Sequence, residues 1–510
     1  MEGIFLIPVV LPAMIGVYLL KTSFYEHRNA TVLSHGKKNN PKEKHLSQLH
    51  ETVIFSMGIC MLANLHFMWS GSPSFTLFKF LRNLPIYFHI DPLGRVFGTI
   101  VTIVWAMAGL HSIAYMKYEH DERRFFGFFM IIYTVLMMLY YAGNLITLYF
   151  FYEMMTLTSM PLVLHNGTRE SIMAALKYLF YSMCGAYFGL FGIFFLYRHC
   201  DSLVFMAGGT LSADAVSHKG ILLIAIFCTL IGFGAKSGMF PLHAWLPAAH
   251  PVAPSPASAV LSGLIVKGGV FAIIRTVFYI VGADFIRGTW VQYAWMSITL
   301  LTVFMGSMMA YLEPVTKKRL AYSTVSQISY ILFGLSLLNK SGFIGAMLHV
   351  CYHAMIKCGL FLTAGVFLVY THKKKVSQLK GIGKQMPIVV GCWTFFSLAL
   401  IGIPPFGGFI SKWYLAVGAL SAKVGIFGYL GPIVLLISAL LTAGYLLPVT
   451  IHGFLPGKDV GYLHRIFVSK LMLVPLITMA LLVLLGGMFP NVLINYFKNI
   501  AAILFARGGI

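Results

Sequence analysis

Apolar runs of about 17 to 25 residues recur from one end of the chain to the other, each long enough to cross a hydrocarbon core of roughly 30 Å. Breaking the sequence at charges, prolines and glycine clusters predicts helices near 3–20, 51–70, 92–115, 125–143, 145–164, 172–197, 219–240, 256–281, 290–312, 320–338, 342–370, 388–411, 424–452 and 466–488. The expectation is an all-α integral membrane fold of about fourteen transmembrane helices. Only Gly143 and Asn144 separate the fourth and fifth helices, so a tight turn is expected there. No basic segment precedes the first run and no small-residue cleavage site follows it, which predicts a retained helix rather than a signal peptide.

Two of these helices carry breakers where a membrane helix should be regular. The seventh passes Lys236 into Ser237-Gly-Met-Phe-Pro241-Leu-His243-Ala-Trp-Leu-Pro247, and the twelfth is interrupted by Gly402-Ile-Pro404-Pro405-Phe-Gly407-Gly408 just before Lys412. Proline removes a backbone donor and glycine relaxes the dihedrals, so both helices should open. At membrane depth an open helix survives only inside protein or against water. Paired broken helices in corresponding halves point to an ion site between inverted repeats.

Composition agrees with the membrane reading: 58% of the 510 residues are hydrophobic and 10% charged, against about 25% charged in a soluble chain. The formal charge of +22 would suit nucleic acid or anionic lipid, but its distribution has a plainer cause. Lys21, Arg28, Lys37, Lys38, Lys42 and Lys44 share one loop, Arg123 and Arg124 another, Lys317 to Arg319 a third, and Lys373 to Lys375 with Lys380 and Lys384 a fourth. The alternate loops are sparse in charge. The positive-inside rule places the basic set in the cytoplasm and both termini on the extracytoplasmic side. Seven scattered cysteines form no CxxC pair, and no glycine-rich phosphate loop is present. No cofactor or metal is therefore expected, and energy must come from an ion gradient or a partner subunit.

The candidate chemistry is the small set of charges inside the predicted spans. Glu153 lies near the middle of the fifth, where a lone carboxylate costs about 2.5 to 3.5 kcal/mol and demands a partner or a proton. Lys177 lies within two turns of its helix start and is open to two readings, a relay group or a lysine that snorkels to the interface. Lys236 stands at the first break and Lys267 inside a glycine-rich apolar run without an acidic neighbour. Burial disfavours a charged lysine, so such groups are suited to loading and releasing a proton; the alternative is a static lysine on carbonyls freed by the break. His349, His353 and Lys357 recur every four residues and stack on one helix face over about 12 Å. The stretch between the histidines holds no HExxH glutamate, which argues against zinc. Lys412 after the second break reads as the end group of the row or as a lysine at the outer surface. The set spans the molecule without a substrate-sized polar cluster, which suits a wire for a small cation.

The chain resembles the antiporter-like membrane subunits shared by respiratory complex I, membrane-bound hydrogenases and multisubunit cation/proton (Mrp-type) antiporters. The resemblance rests on Phe151-Tyr-Glu153, Gly234-Ala-Lys236, Phe240-Pro-Leu-His-Ala-Trp-Leu-Pro-Ala-Ala-His250, the block ending Gly-Leu-Ile-Val-Lys267, Lys318 to Gln327, His349-x3-His353-x3-Lys357, and Gly402-Ile-Pro with Gly408-Phe-Ile-Ser-Lys412. It covers residues 90 to 450. It implies two inverted five-helix repeats, helices four to eight and nine to thirteen, with helices seven and twelve broken. The corresponding divisions are 1–120 for three N-terminal helices with a basic loop, 121–285 and 286–455 for the repeats, and 456–510 for a last helix and short tail. It also implies that Glu153 pairs with Lys236, that Lys267 and the His349 row form a central axis, and that Lys412 ends it. Residues 491 to 510 are too few for the long lateral helix of the largest relatives. The basic stretch at 25–50 departs from the family pattern.

The leading expectation is a proton-translocating subunit of a complex I-like oxidoreductase or hydrogenase in the cell inner membrane. Its partners would be other membrane subunits, homologous antiporter-like subunits, peripheral redox subunits and the bilayer, with H+ or Na+ as cargo and no nucleic acid. A Na+/H+ antiporter subunit and a non-pumping structural subunit of the membrane arm are the alternatives.

Overall fold

The computed structural model describes residues 3–32, 41–81, 84–457 and 463–506. Part of the basic stretch at 25–50, Lys37 and Lys38 included, lies outside the described residues. The helices are α1 (Ile7–Val32), α2 (Pro41–Trp69), α3 (Pro92–Tyr115), α4 (Glu122–Tyr140), α5 (Leu145–Val163), α6 (Arg169–His199), α7 (Lys219–Lys236) and α8 (Leu246–Val252). They continue as α9 (Ser255–Val281), α10 (Trp290–Leu312), α11 (Thr316–Ser336), α12 (Lys340–Thr371), α13 (Pro387–Ile401), α14 (Gly407–Ser421), α15 (Phe427–Phe454), α16 (Lys470–Met488) and α17 (Asn491–Leu504). Eleven helices among the described residues are long and apolar enough to cross a membrane. The three expected spans outside that number have visible reasons: α5 carries Glu153, α11 opens on Lys317-Lys318-Arg319, and the twelfth predicted span is cut into α13 and α14.

Burial sorts the helices into a centre and a rim. Every residue of α9 is buried, whereas in α15 and α16 about a third of the apolar window is covered, 33% in each. An apolar surface left uncovered at the rim suits lipid, and a helix apolar all round belongs inside the bundle. The second central helix, α12, packs against α9, α11, α13 and α14. Close approach depends on small residues. A Cβ on Gly232 of α7 would strike the Gly185 carbonyl and Gly189 amide of α6, and one on Gly269 of α9 would strike the Phe233 carbonyl of α7.

Two features were not legible in the apolar pattern. Strands β1 (Ser74–Leu81) and β2 (Leu84–His89) form an antiparallel hairpin between α2 and α3. It docks on the expected tight turn: the Gly143 amide donates to the Tyr87 carbonyl (2.9 Å) and the His89 amide to the Tyr141 carbonyl (2.7 Å). Asn144 then caps α5, its side chain accepting from the Thr147 amide (2.7 Å) and donating to the Pro85 carbonyl (2.7 Å). The second feature is α17, a helix of 14 residues within the stretch expected to be too short for a lateral one.

Candidate functional site

Both predicted breaks exist, and each is closed by a glycine in the left-handed region. After α7, Gly238 has φ 74°. The Met239 amide donates to the Gly234 carbonyl (2.9 Å) and the Gly238 amide to the Ala235 carbonyl (3.1 Å), the double closure that such a glycine permits. After α13, Gly402 has φ 90°, and its amide with that of Ile403 returns to the Leu398 carbonyl (3.1 and 3.2 Å). Helix ends leave carbonyls without amide partners, and the two breaks satisfy them differently. At the first, the Trp245 indole donates to the Ala235 carbonyl (2.9 Å), which leaves the Lys236 side chain free to reach elsewhere. At the second, Lys412 Nζ itself donates to the Leu400 and Ile401 carbonyls (2.7 and 2.8 Å). A cation at a helix C-terminus also complements the dipole. Lys412 is half-buried over the Tyr330 ring, neither deep in the row nor at an outer surface.

Lys236 is fully buried and donates to three hydroxyls: Thr156 Oγ1 (2.7 Å), Tyr178 OH (2.8 Å) and Ser182 Oγ (3.2 Å). This corrects the expected Glu153–Lys236 ion pair. Among the described residues no bond or ion pair joins the two, although their charges act on each other. The cause is the hydroxyl cradle of α5 and α6, which takes the ammonium first; Glu153 Oε1 is left buried without a hydrogen-bond partner. Thr156 is three residues from Glu153 and Ser182 four from Tyr178, so helical spacing alone places each pair on one face. That signal was available and was missed.

For Lys177 the structure favours the second of its two readings, a lysine at the rim rather than a relay group. It is exposed on α6, while its neighbour Tyr178 takes the inward face. One step along a helix rotates a side chain by about 100°, enough to separate a core position from the rim. Its charge is felt by His243 in the first break but is not part of the buried row.

The remaining residues converge at the α9–α12 contact. Lys267, His349, His353 and Lys357 are each at most 2% exposed. Lys267 Nζ lies 2.7 Å from His353 Nδ1 and donates to the Ser262 carbonyl (3.1 Å). That carbonyl belongs to a π turn, Leu261–Ile265, a widened stretch of a kind often found at functional sites. Lys357 Nζ donates to Ser323 Oγ (2.6 Å) and the Leu320 carbonyl (3.1 Å), and Ser323 continues to Tyr445 OH (2.6 Å). His349 lies between Ser411 Oγ (2.9 Å) and Gln327 Oε1 (3.1 Å), with its ring 5.8 Å from that of His353. The row thus runs from α9 through α12 to α14, the helix that bears Lys412.

The buried basic groups not taken as candidates from the sequence include His250 and Arg275. His250 is fully buried with both ring nitrogens unpartnered, against Phe361, and the charges of Lys317 and Lys357 reach it. Lys317 in turn lines a cavity of about 420 Å³ with Glu119, Asn166, Glu170 and Lys374, at the level of the basic loops. Arg275 of α9 forms a two-bond ion pair with Asp91 at the start of α3. An arginine inside a predicted span was the available signal.

A family model described as "NADH:quinone oxidoreductase/Mrp antiporter, TM" matches residues 142–452, and one described as "NADH-Ubiquinone oxidoreductase (complex I), chain 5 N-terminus" matches 81–126. NADH-quinone oxidoreductase subunit N of Desulforudis audaxviator is 32% identical over 425 residues, 80% of this chain and 82% of that protein. A Na(+)/H(+) antiporter subunit of Alkalihalophilus pseudofirmus is 25% identical over 427 residues, 82% and 85% of the two chains. Hydrogenase-4 component B of Escherichia coli is 34% identical over 343 residues, covering 64% of this chain and 50% of that one. Among solved structures, a chain of the Mrp complex from Dietzia sp. DQ12-45-1b superposes with a TM-score of 0.81 at 19% identity, covering 99% of this chain and 98% of that one. A chain of respiratory complex I from Thermus thermophilus gives 0.77 at 20% identity, covering 99% and 100%, so the fold is common to both. By these matches the chain belongs to the NADH:quinone oxidoreductase/Mrp antiporter membrane family, as one of its antiporter-like subunits.

Proposed function

We propose that the chain translocates protons along the buried row, as one membrane subunit of a complex I-like oxidoreductase or a membrane-bound hydrogenase. The supporting observation is the 2.7 Å approach of Lys267 Nζ to His353 Nδ1. When two basic nitrogens share one hydrogen bond, one of them must accept, so the two cannot both be fully protonated in that arrangement. A proton can change owner along that bond with little movement of heavy atoms. Glu153, Lys236, His349, Lys357 and Lys412 extend the path to either side, water bridging the longer steps. On the basic face, Lys317 lines the cavity, and its charge, like that of Lys357, acts on the buried His250. The two breaks, each pairing a left-handed glycine with a lysine, support the repeats 121–285 and 286–455. The loop charges support a cytoplasmic position for that face, extracytoplasmic termini, and residence in the inner membrane.

A Na+/H+ antiporter subunit is the second reading, favoured by the likeness to the Alkalihalophilus protein. Hard metal cations take cages of oxygen ligands. The amine-imidazole pair on α9 and α12 suits a proton better.

The test uses inverted membrane vesicles carrying the assembled complex, with proton uptake and Na+ uptake followed in parallel. Lys267→Met and His353→Gln should each remove most proton uptake while the complex still assembles. Full uptake by both variants refutes the relay. Failure of both to assemble speaks for a structural subunit, and Na+ uptake lost together with the H+ release it is exchanged for speaks for the antiporter.

A further inference from the structure

Away from the row, the ends of α6 and α7 on the face opposite the basic loops bring together two histidines and an aspartate. His199 is the last residue of α6, Asp214 sits in the turn Ala213–Val216, and His218 immediately precedes α7. Backbone pairing fixes their approach. The Ser212 amide and hydroxyl both donate to the His199 carbonyl (3.0 Å each), and the Asp201 amide donates to the Thr210 carbonyl (2.9 Å), so the loop folds back onto the helix end. His199 Nδ1 then stands 3.6 Å from Asp214 Oδ2, and His218 Nδ1 stands 3.4 Å from the same oxygen. The imidazole centroids are 4.8 Å apart, and one donor atom from each residue lies within 4.8 Å of the other two.

We propose that His199, Asp214 and His218 bind one divalent transition-metal ion of the zinc class. Two imidazoles and a carboxylate are a donor set that such ions take. Metal bonds of roughly 2.0 to 2.1 Å in a tetrahedron require ligand atoms about 3.3 Å apart, and two of the three separations are already within a few tenths of an ångström of that. A second observation points to a ligand. His199 is 5% exposed, and its Nδ1, the atom facing Asp214, is buried without a hydrogen-bond partner. A buried ring nitrogen left unpaired carries a desolvation cost that a bond to a metal removes. Asp214 is also held in place: Ser217 Oγ, which donates to the Asp214 carbonyl (2.6 Å), lies 3.0 Å from Oδ1, on the side of the carboxylate away from the Oδ2 that faces the histidines. His218 Nδ1 also lies 3.0 Å from Ser217 Oγ and 3.3 Å from the Asp214 carbonyl, contacts a metal would replace by a small ring rotation. Asp214 and His218 are 66% and 50% exposed, so water can fill a fourth position. By the sidedness proposed above, the ion would be drawn from outside the cytoplasm and would clamp the outer ends of α6 and α7, whose inner parts supply Tyr178 and Lys236.

The experiment titrates the chelator-stripped complex in detergent with Zn2+ alone, read by competition with a chromophoric chelator and by thermal melting. Wild type should bind one Zn2+ more per copy of this chain than the Asp214→Asn/His218→Gln variant, and melt at higher temperature with zinc than without. Asp214→Asn and His218→Gln alone should each weaken binding at least about tenfold. Both residues are exposed, so these variants should fold and transport normally without metal. X-ray absorption should show nitrogen and oxygen ligands and no sulfur, although Cys200 is adjacent in sequence. Equal zinc in wild type and the double variant, or a sulfur ligand, overturns the site. Wild type that takes up no zinc at micromolar metal leaves a simple histidine–aspartate ion cluster and overturns it as well.

Discussion

Removing Asp91 should destabilise this protein more than removing most side chains of the buried row. Arg275 of α9 is 1% exposed, and its Nη1 and Nη2 donate to Asp91 Oδ2 (2.7 Å) and Oδ1 (2.6 Å). Phe205, Phe271 and Tyr279 surround the guanidinium at 4.6 to 4.8 Å. Asp91 also caps α3, accepting from the Gly94 amide (2.9 Å). Asp91→Ala leaves a buried guanidinium without a counter-charge, a loss of about 3–5 kcal/mol, and removes a cap of about 1 kcal/mol. Arg275→Met in the same background removes the stranded charge, so the double variant should recover all but roughly the cap, about 1 kcal/mol below wild type. Thermal denaturation of the solubilised protein, followed by size-exclusion chromatography, measures the order. A double variant no more stable than Asp91→Ala, or an Asp91→Ala variant within about 1 kcal/mol of wild type, refutes the reasoning. The pH dependence has a definite sign. Burial alone would raise the Asp91 carboxyl, but Arg275 beside it and the Gly94 amide hold it below its ordinary value. The contribution of the pair is therefore full above the unfolded value near 3.9 and is lost as pH falls through the lower folded value.

Three further outcomes are expected. Lys357→Arg should assemble and fail to transport, because arginine stays protonated at any working pH; a normal pumping rate in vesicles rules out a protonation change at this position. Lys236→Ala and Glu153→Gln should abolish most pumping while the partner's redox activity persists, and since no bond joins the two residues, neither should lower the amount of complex isolated. Gly232→Val should force α6 from α7, at a cost of roughly 1–3 kcal/mol for overpacking, and draw Lys236 away from Tyr178 and Ser182; a thermal shift with normal transport would show that the cradle tolerates the displacement.

Much of this protein follows from one-dimensional pattern. The apolar runs determine the helices because lipid cannot satisfy backbone polar groups, so spanning segments must satisfy them internally. Gly402 and the segment Ser237–Pro247 determine where two helices open, because proline lacks a donor and a left-handed carbonyl turn is accessible to glycine. The spacing of His349, His353 and Lys357 determines that they share a face. Pairing was a different matter. Nothing local says that Lys267 meets His353, 86 residues away, or that Arg275 meets Asp91 across 184 residues. The family resemblance implied that Lys236 should pair with Glu153, yet its hydrogen-bond partners are hydroxyls, which carry no charge and so leave no mark on a charge pattern. Lys177 and Tyr178 are adjacent letters with opposite fates, decided by which side of α6 the glycine seam turns toward α7. Short-range periodicity encodes the face a residue occupies within its own helix. Its partner depends on how the helices cross, and that is settled by close packing among residues far apart in the chain.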